Sequence, residues 1–280
     1  MIIDAHHHLW KFNTEDYGWM DESMSILRQD YQPNDLEQHL SEANVKGTVV
    51  VQARQKLEET TWLLELADKY SFIMGVVGWL DLQSDKLDEQ LEKFTGNPKL
   101  VGVRHVIHDE PDDDFMLRPA FTKGIEKLAQ YNLTYDLLLF PKHLTRAVEL
   151  VSMFPDQNFV LDHISKPFIK AGILDPWRED LGSLAAQPNV WCKISGLVTE
   201  ADMQKWKQKD FIPYLDTVVE AFGTGRIMLG SDWPVCRLAG EYGRVMEIGK
   251  SYFRNFDEED KRKIFSENAI SFYNLNYITK

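Results

Sequence analysis

The fold this sequence predicts is a (β/α)₈ barrel, on three observations. Eight short apolar runs recur along the 280 residues, helical patterns separate them, and no Gly-x-Gly-x-x-Gly turn follows an early run. Alternating strand and helix signals indicate βα units and a parallel sheet, and eight such units suggest a closed barrel. A doubly wound open sheet is the competing arrangement, and the missing phosphate-binding turn counts against it. No linker, low-complexity tract or internal repeat divides the chain, so residues 1–280 are expected to form one domain.

The first strand begins in the apolar run 1–3 and leads into Asp4, His6 and His8. Period-two alternation would put Asp4, His6 and His8 on one side and Ala5, His7 and Leu9 on the other. Residues 11–33 carry Phe12, Tyr17, Trp19 and Tyr31 without clean periodicity. They read as a long loop, either a lid or a flap packed by its own aromatics. Asn34 is placed to cap a helix running to Ala43. Strands follow at 47–53, 72–79 and 100–106, with helices at 60–70 and from 84 or 85 between them. Helices at 119–131 and 141–154 bracket a strand at 133–140. The sixth strand is expected at 159–164, a helix opens at Asp175-Pro176, and the seventh strand covers 190–195. A long helical stretch ends near Phe222, strand eight spans 227–229, and helices fill 241–253 and 257–273.

Composition narrows the function classes. The net charge of −13 argues against nucleic acid and anionic membrane surfaces as partners. Two cysteines imply no disulfide framework and fit a reducing compartment. No signal peptide and no run of about 18 apolar residues is visible. The expectation is a cytoplasmic protein acting on a small molecule, and a homo-oligomer is compatible with the sequence.

In such a barrel the active site forms at the C-terminal ends of the strands. Six of the eight histidines fall there; only His39 and His143 lie on expected helices. His6, His8, His163 and Asp232 make a plausible ligand set for one divalent ion, since catalytic zinc uses few protein ligands and keeps one position open. Alone, His163 reads equally well as a core histidine, and Asp232 as a helix cap. Asp162 and His163 are neighbours in an expected strand, so only one should face the site; His163 is chosen. Arg104 is suited to substrate oxygens, or to an interior ion pair with a carboxylate such as Asp4. Lys193 reads as an anion binder or a structural interior lysine. Gln52 and Trp79 are candidate wall residues. His105 and His108 are candidates for substrate contact or proton transfer. Cys192 and Cys236 show no nucleophile arrangement.

Several segments together resemble the amidohydrolase superfamily, in its sugar-acid lactonase group of L-fuconolactonase-like and L-rhamnonolactonase-like proteins. They are Asp4-Ala5-His6-His7-His8-Leu9-Trp10, Val101-Gly102-Val103-Arg104-His105, Leu161-Asp162-His163 with Lys166-Pro167, Lys193-Ile194-Ser195-Gly196-Leu197 and Gly230-Ser231-Asp232-Trp233-Pro234, with Glu267-Asn268-Ala269 and Phe272-Tyr273 near the end. The resemblance implies a distorted (β/α)₈ barrel of the metal-dependent-hydrolase type that opens a lactone. Strand four offers Arg104 and His105 where binuclear relatives carry a carbamylated lysine, so a two-metal site is not expected. The resemblance implies either one divalent ion, zinc first, or none, the histidines then holding the substrate. Asp232 is expected to activate water, with His108 as alternative proton donor. Arg104, His105, Gln52, Trp79 and Lys193 are expected on the substrate. A metal-dependent decarboxylase of an unsaturated acid is the alternative on the same scaffold.

Overall fold

The computed structural model describes residues 1–276; the last four residues of the expected domain lie outside the described residues. Eight parallel strands follow chain order around the barrel: β1 (Ile3–His7), β2 (Gly47–Val51), β3 (Ile73–Gly78), β4 (Leu100–His105), β5 (Thr134–Leu137), β6 (Phe159–Leu161), β7 (Val190–Ile194) and β8 (Ile227–Leu229). Outside them pack α1 (Pro33–Ala43), α2 (Leu57–Lys69), α3 (Leu87–Thr95), α4 (Pro119–Leu128), α5 (Leu144–Met153), α6 (Trp177–Ala185), α7 (Leu197–Glu200), α8 (Gln208–Phe222) and α9 (Tyr242–Tyr252). The chain ends in α10 (Glu258–Arg262) and α11 (Asn268–Phe272), joined by a π turn, Lys263–Glu267. Among the described residues no helix is long and apolar enough to cross a membrane.

The barrel closes unevenly. Ladders join β1 through β8 in sequence, but β8 meets β1 through a single parallel bridge, His7 to Trp233. Two backbone bonds hold this seam: Asp232 N–H donates to His6 C=O at 2.8 Å and His8 N–H to Trp233 C=O at 2.6 Å. The distortion therefore falls on the two chain segments that carry three of the four expected ligands, His6, His8 and Asp232.

Two apolar layers explain why the strands read as continuous hydrophobic runs. Val50, Val76, Val103 and Leu161 face outward into the layer beneath the helices. Ile3, Ala5, Val49, Val51, Val77, Val160 and Met228 face inward. The inner layer is sealed by Phe272, Tyr273 and Leu275 from the chain's end. A Cβ on Gly75 would meet Leu275 Cδ2 at 2.9 Å, so β3 has room for that plug only as glycine.

Several boundaries move for local reasons. The cap of α1 is Gln32, not Asn34, because proline suits the first helical position, Pro33, and Asp35 accepts a bond from Gln32 N–H at 2.8 Å. The helix expected over 141–154 is a 3-10 turn, Pro141–His143, followed by α5. The long stretch ending at Phe222 is broken into α7 and α8.

The loop over 11–33 is a flap closed at its base by an antiparallel bridge between Trp10 and Tyr31. Trp10, Tyr17, Met20, Leu27 and Tyr31 are buried inside it, and Trp10 Nε1 donates to Gln29 C=O at 2.8 Å. Asp16 pairs with Arg54 and Lys56, which ties the flap to the turn after β2. Beneath that pairing Glu59 is fully buried, accepting backbone N–H bonds from Ala53 and Arg54 at 3.0 Å each, with the Tyr17 hydroxyl 3.4 Å away.

Burial pushes the Glu59 carboxyl up to about 7, against the opposing pull of those N–H groups and Arg54. Its folded value lies above the unfolded one, so its contribution is complete below about pH 4.5 and is lost as pH rises through 7. Glu59→Gln keeps the shape and removes the charge. In urea denaturation, wild type should lose about 3 kcal/mol relative to this variant between pH 4.5 and 7.5. A pH-independent difference would show that Glu59 carries no such cost.

Candidate active site

The first ligand pair depends on a local irregularity. Between β1 and β2, Ile3 and Asp4 pair with Gly47 and Thr48, but His7 pairs with Val50, so β1 holds one extra residue. Such a bulge changes the strand's phase. The expected alternation is corrected accordingly. Asp4 shares the outer side with His7, accepting from Tyr242 hydroxyl at 3.0 Å and Ser231 hydroxyl at 2.6 Å. His7 bonds Thr48 Oγ1 at 2.9 Å. His6 and His8 turn to the cavity side, with their Nε2 atoms 3.2 Å apart. Asp4 is thus no partner for Arg104.

The second irregularity follows β6. Instead of continuing to residue 164, the strand ends at Leu161, and His163, Ile164, Ser165 and Lys166 have φ of 53°, 48°, 62° and 50°. Four consecutive left-handed residues without a glycine cost about 1–2 kcal/mol each, and a β-branched residue there is a genuine outlier. Trp177 Nε1 donates to Ile164 C=O at 2.8 Å and Lys166 N–H to His163 C=O at 2.8 Å, which hold the turn. This geometry overturns the expectation that Asp162 and His163 oppose each other. Asp162 lies 3.2 Å from His6 Nδ1, while His163 lies under the cavity and bonds Ser195 Oγ at 2.9 Å. Gly196 makes room: a Cβ there would sit 2.5 Å from His163 Nδ1.

Asp232 completes the group just beyond β8. Its Oδ1 is 3.3 Å from His8 Nε2, 3.9 Å from His6 Nε2 and 4.0 Å from His163 Nε2, and the residue is 2% exposed. Burial opposes its charge, but His163 and His8 beside it hold the carboxyl below its usual range. Burial pushes the His6 and His163 imidazoles well down, so both are neutral near pH 7, the form that binds metal.

The donor set suits a cation. His8 Nδ1 donates to Val51 C=O at 2.8 Å, which turns its Nε2 toward Asp232 and His6. The Asp162 carboxylate favours the proton on His6 Nδ1, leaving its Nε2 lone pair on the same spot. His6 Nε2, His8 Nε2 and Asp232 Oδ1 converge within 3.2–3.9 Å of one another. Two donors at zinc bond lengths lie about 3.3 Å apart at a tetrahedral angle. His6, His8 and Asp232 are therefore within reach of one ion; His163 groups with His6 and Asp162, its Nε2 4.0 Å from Asp232 Oδ1.

Beneath this group runs a buried ionic chain. The Tyr273 hydroxyl donates to Asp136, Lys193 pairs with Asp136 at 2.5 Å and Asp162 at 3.1 Å, and Arg104 pairs with Asp162 at 3.0 Å. Burial disfavours the Asp162 charge, yet Lys193, His6 and Arg104 together hold its carboxyl well below the usual range.

The cavity above has a volume of about 400 Å³. His8, His163, Asp232, Arg104 and His108 line it. Four residues expected on the substrate do not reach its wall. Lys193 is buried in the ionic chain. Gln52 is buried against the Arg104 backbone and guanidinium. His105 faces away from Arg104 by strand alternation, bonded to Glu110 at 2.6 Å and stacked on Phe115, and Trp79 Nε1 donates to it at 3.3 Å. His108 pairs with Asp109 at 2.9 Å.

Sequence reasoning passed over other lining residues. They are Lys166, Thr199 and Glu200, from the turns after β6 and β7, whereas Trp10, Trp19 and Met24 come from the flap that was expected as a lid. Lys166-Pro167 following a strand-end histidine was a usable signal for one of them. Glu200 gave none, because α7 merges into a longer helical pattern.

The family model for amidohydrolases matches residues 3–275. The chain belongs to the amidohydrolase family. This amidohydrolase is 36% identical to an L-fucono-1,5-lactonase from Burkholderia ambifaria, covering 98% of this chain and 96% of that protein. It is 37% identical to an L-fucono-1,5-lactonase from Burkholderia multivorans, covering 88% and 86%. A solved amidohydrolase from Burkholderia multivorans with bound zinc superposes with a TM-score of 0.95 at 35% identity, covering 98% and 99%.

If His163 joins the ligand set, its Ser195 bond fixes the ring. Partners of this kind commonly contribute 10- to 100-fold in affinity. Ser195→Ala should weaken zinc binding by about that factor in competition with a chelating indicator. Unchanged affinity would remove His163 or its partner from the set.

Proposed function

We propose that this amidohydrolase opens the lactone ring of a sugar acid by attack of water on the ring carbonyl. The observation that carries the reading is the buried Asp232 carboxylate set against the His6, His8 and His163 imidazoles at the floor of the cavity. The lactonases among its relatives support the substrate class. His6, His8, His163 and Asp232 would hold one divalent cation, zinc first, which when bound polarises a carbonyl and lowers the pKa of water.

The chain's own groups account for the proton steps. Asp232 takes a proton from the attacking water, and the water oxygen bonds to the carbonyl carbon. Arg104 presents its guanidinium on the cavity wall to substrate oxygens. As the bond from the carbonyl carbon to the ring oxygen breaks, that oxygen takes the proton from Asp232. His108, paired with Asp109, is the alternative donor. The free acid is the product. The cavity's size suits a small substrate, and the acidic chain with two buried free thiols supports a cytoplasmic setting.

Replacing Asp232 by Asn should lower kcat by about 10²- to 10⁴-fold while the circular dichroism spectrum stays that of wild type. A rate near wild type would remove Asp232 from the chemistry. In a pH-indicator assay over aldonolactones, thorough chelation checked by elemental analysis should abolish acid release, and zinc should restore it. Full activity in protein free of metal would assign the carbonyl to the histidines alone. Release of carbon dioxide from an unsaturated acid, with no lactone turned over, would replace the lactonase reading by a decarboxylase.

A further inference from the structure

The chemistry at Asp232 makes no use of three polar residues that line the same cavity: Lys166, Thr199 and Glu200. Lys166 Nζ lies 3.1 Å from Glu200 Oε1, and Thr199 Oγ1 lies 3.4 Å from the same oxygen. The interior ionic chain is wholly buried, but these two charged side chains stay 17% and 23% exposed. An ammonium has three donors and a carboxylate about four acceptor positions, so one mutual contact leaves most of that capacity open.

Their placement is not incidental to the fold. The left-handed turn over His163–Lys166 brings residues three apart in sequence to one cavity, His163 to its floor and Lys166 to its wall. Backbone held in so unfavourable a conformation persists where the surroundings fix it and commonly serves a site. Here Trp177 and Lys166 N–H fix it. Much of the remaining wall is apolar, formed by Leu138, Phe140, Met203, Val235 and Leu238. Those side chains offer a polyhydroxylated ring no hydrogen-bond partners.

We propose that Lys166 and Glu200 form a subsite that reads two neighbouring hydroxyls of the lactone and so selects which lactone is accepted. This rests on the lactonase reading above. Glu200 accepts from one hydroxyl, and Lys166 donates to the oxygen of the next. Thr199 steadies the carboxylate. A site built to bond a hydroxyl rejects an analogue lacking it strongly, because its own polar groups are then left unpaired.

The test compares a six-membered aldonolactone with unsubstituted δ-valerolactone in wild type, Glu200→Gln and Lys166→Met. Both variants should lose about 10- to 100-fold in kcat/KM on the aldonolactone, mostly through KM. Loss on δ-valerolactone should be far smaller, so the preference between the two substrates collapses. Thermal denaturation checks that each variant is folded. Equal losses on both substrates would overturn the proposal and assign Lys166 to the chemistry beside Asp232, where its charge also acts. Undiminished preference in both variants would overturn it as well. If wild type turned over neither lactone, the reaction assignment would fail by itself. Calorimetric titration of wild type and Glu200→Gln with the aldonolactone would then decide the subsite, equal affinities overturning it.

Discussion

The buried ionic chain from Asp136 through Lys193 and Asp162 to Arg104 is the constraint on which the site depends. Ions taken out of water are costly, and only close pairing offsets that cost. Here two carboxylates and two cations alternate, so the barrel's interior carries no net charge from them. Truncating one member would leave a buried charge unpaired. The chain also reaches the chemistry, since Asp162 and Lys193 both lie against His6 Nδ1, and Arg104 lies 3.4 Å from its Nε2. An imidazole that would otherwise be free to turn is held between charges. The Tyr273 hydroxyl on Asp136 extends the same chain to the plug that seals the barrel.

Above that chain, three departures from regular backbone aim the site. The bulge in β1 puts His6 and His8 on the cavity side while Asp4 turns to the outer layer. The left-handed turn after β6 lets Asp162 face the ionic chain and His163 face the cavity, which an unbroken strand forbids. Asp232, with φ of 57°, sits where β8 meets β1 by one bridge instead of a ladder. Gly230 belongs to the same seam: a Cβ there would lie 2.7 Å from His6 Cβ. Regular strands supply the frame, and the irregular positions do the aiming.

Electrostatics then separate the roles of similar residues. Asp162 and Asp232 are both buried with carboxyls held below the usual range, but Asp162 pairs with Lys193 and Arg104 while Asp232 faces His6, His8 and His163. Only the second lines the cavity. Lys193 and Lys166 differ likewise. The first is enclosed in the barrel, and the second reaches the cavity with part of its surface in solvent.

Sequence alone determined the barrel, the order of its strands and the clustering of histidines at strand ends. Those features follow from hydrophobic periodicity and chain order, which are local. The grouping of His6 and His8 with His163 and Asp232 was also legible, through short motifs that mark the ends of strands. Tertiary structure decided which of those residues reach the cavity. Gln52, Trp79, His105 and Lys193 all sit near strand ends, yet backbone phase or burial turns them elsewhere. Phase can reverse with a single extra residue, as in β1, and no local pattern announced that residue. Glu200 and Trp19 enter the cavity from a turn and a flap whose paths are set by packing against distant parts of the chain. Periodicity records which side of an element is apolar, but only the packed whole fixes where a polar group on that element points.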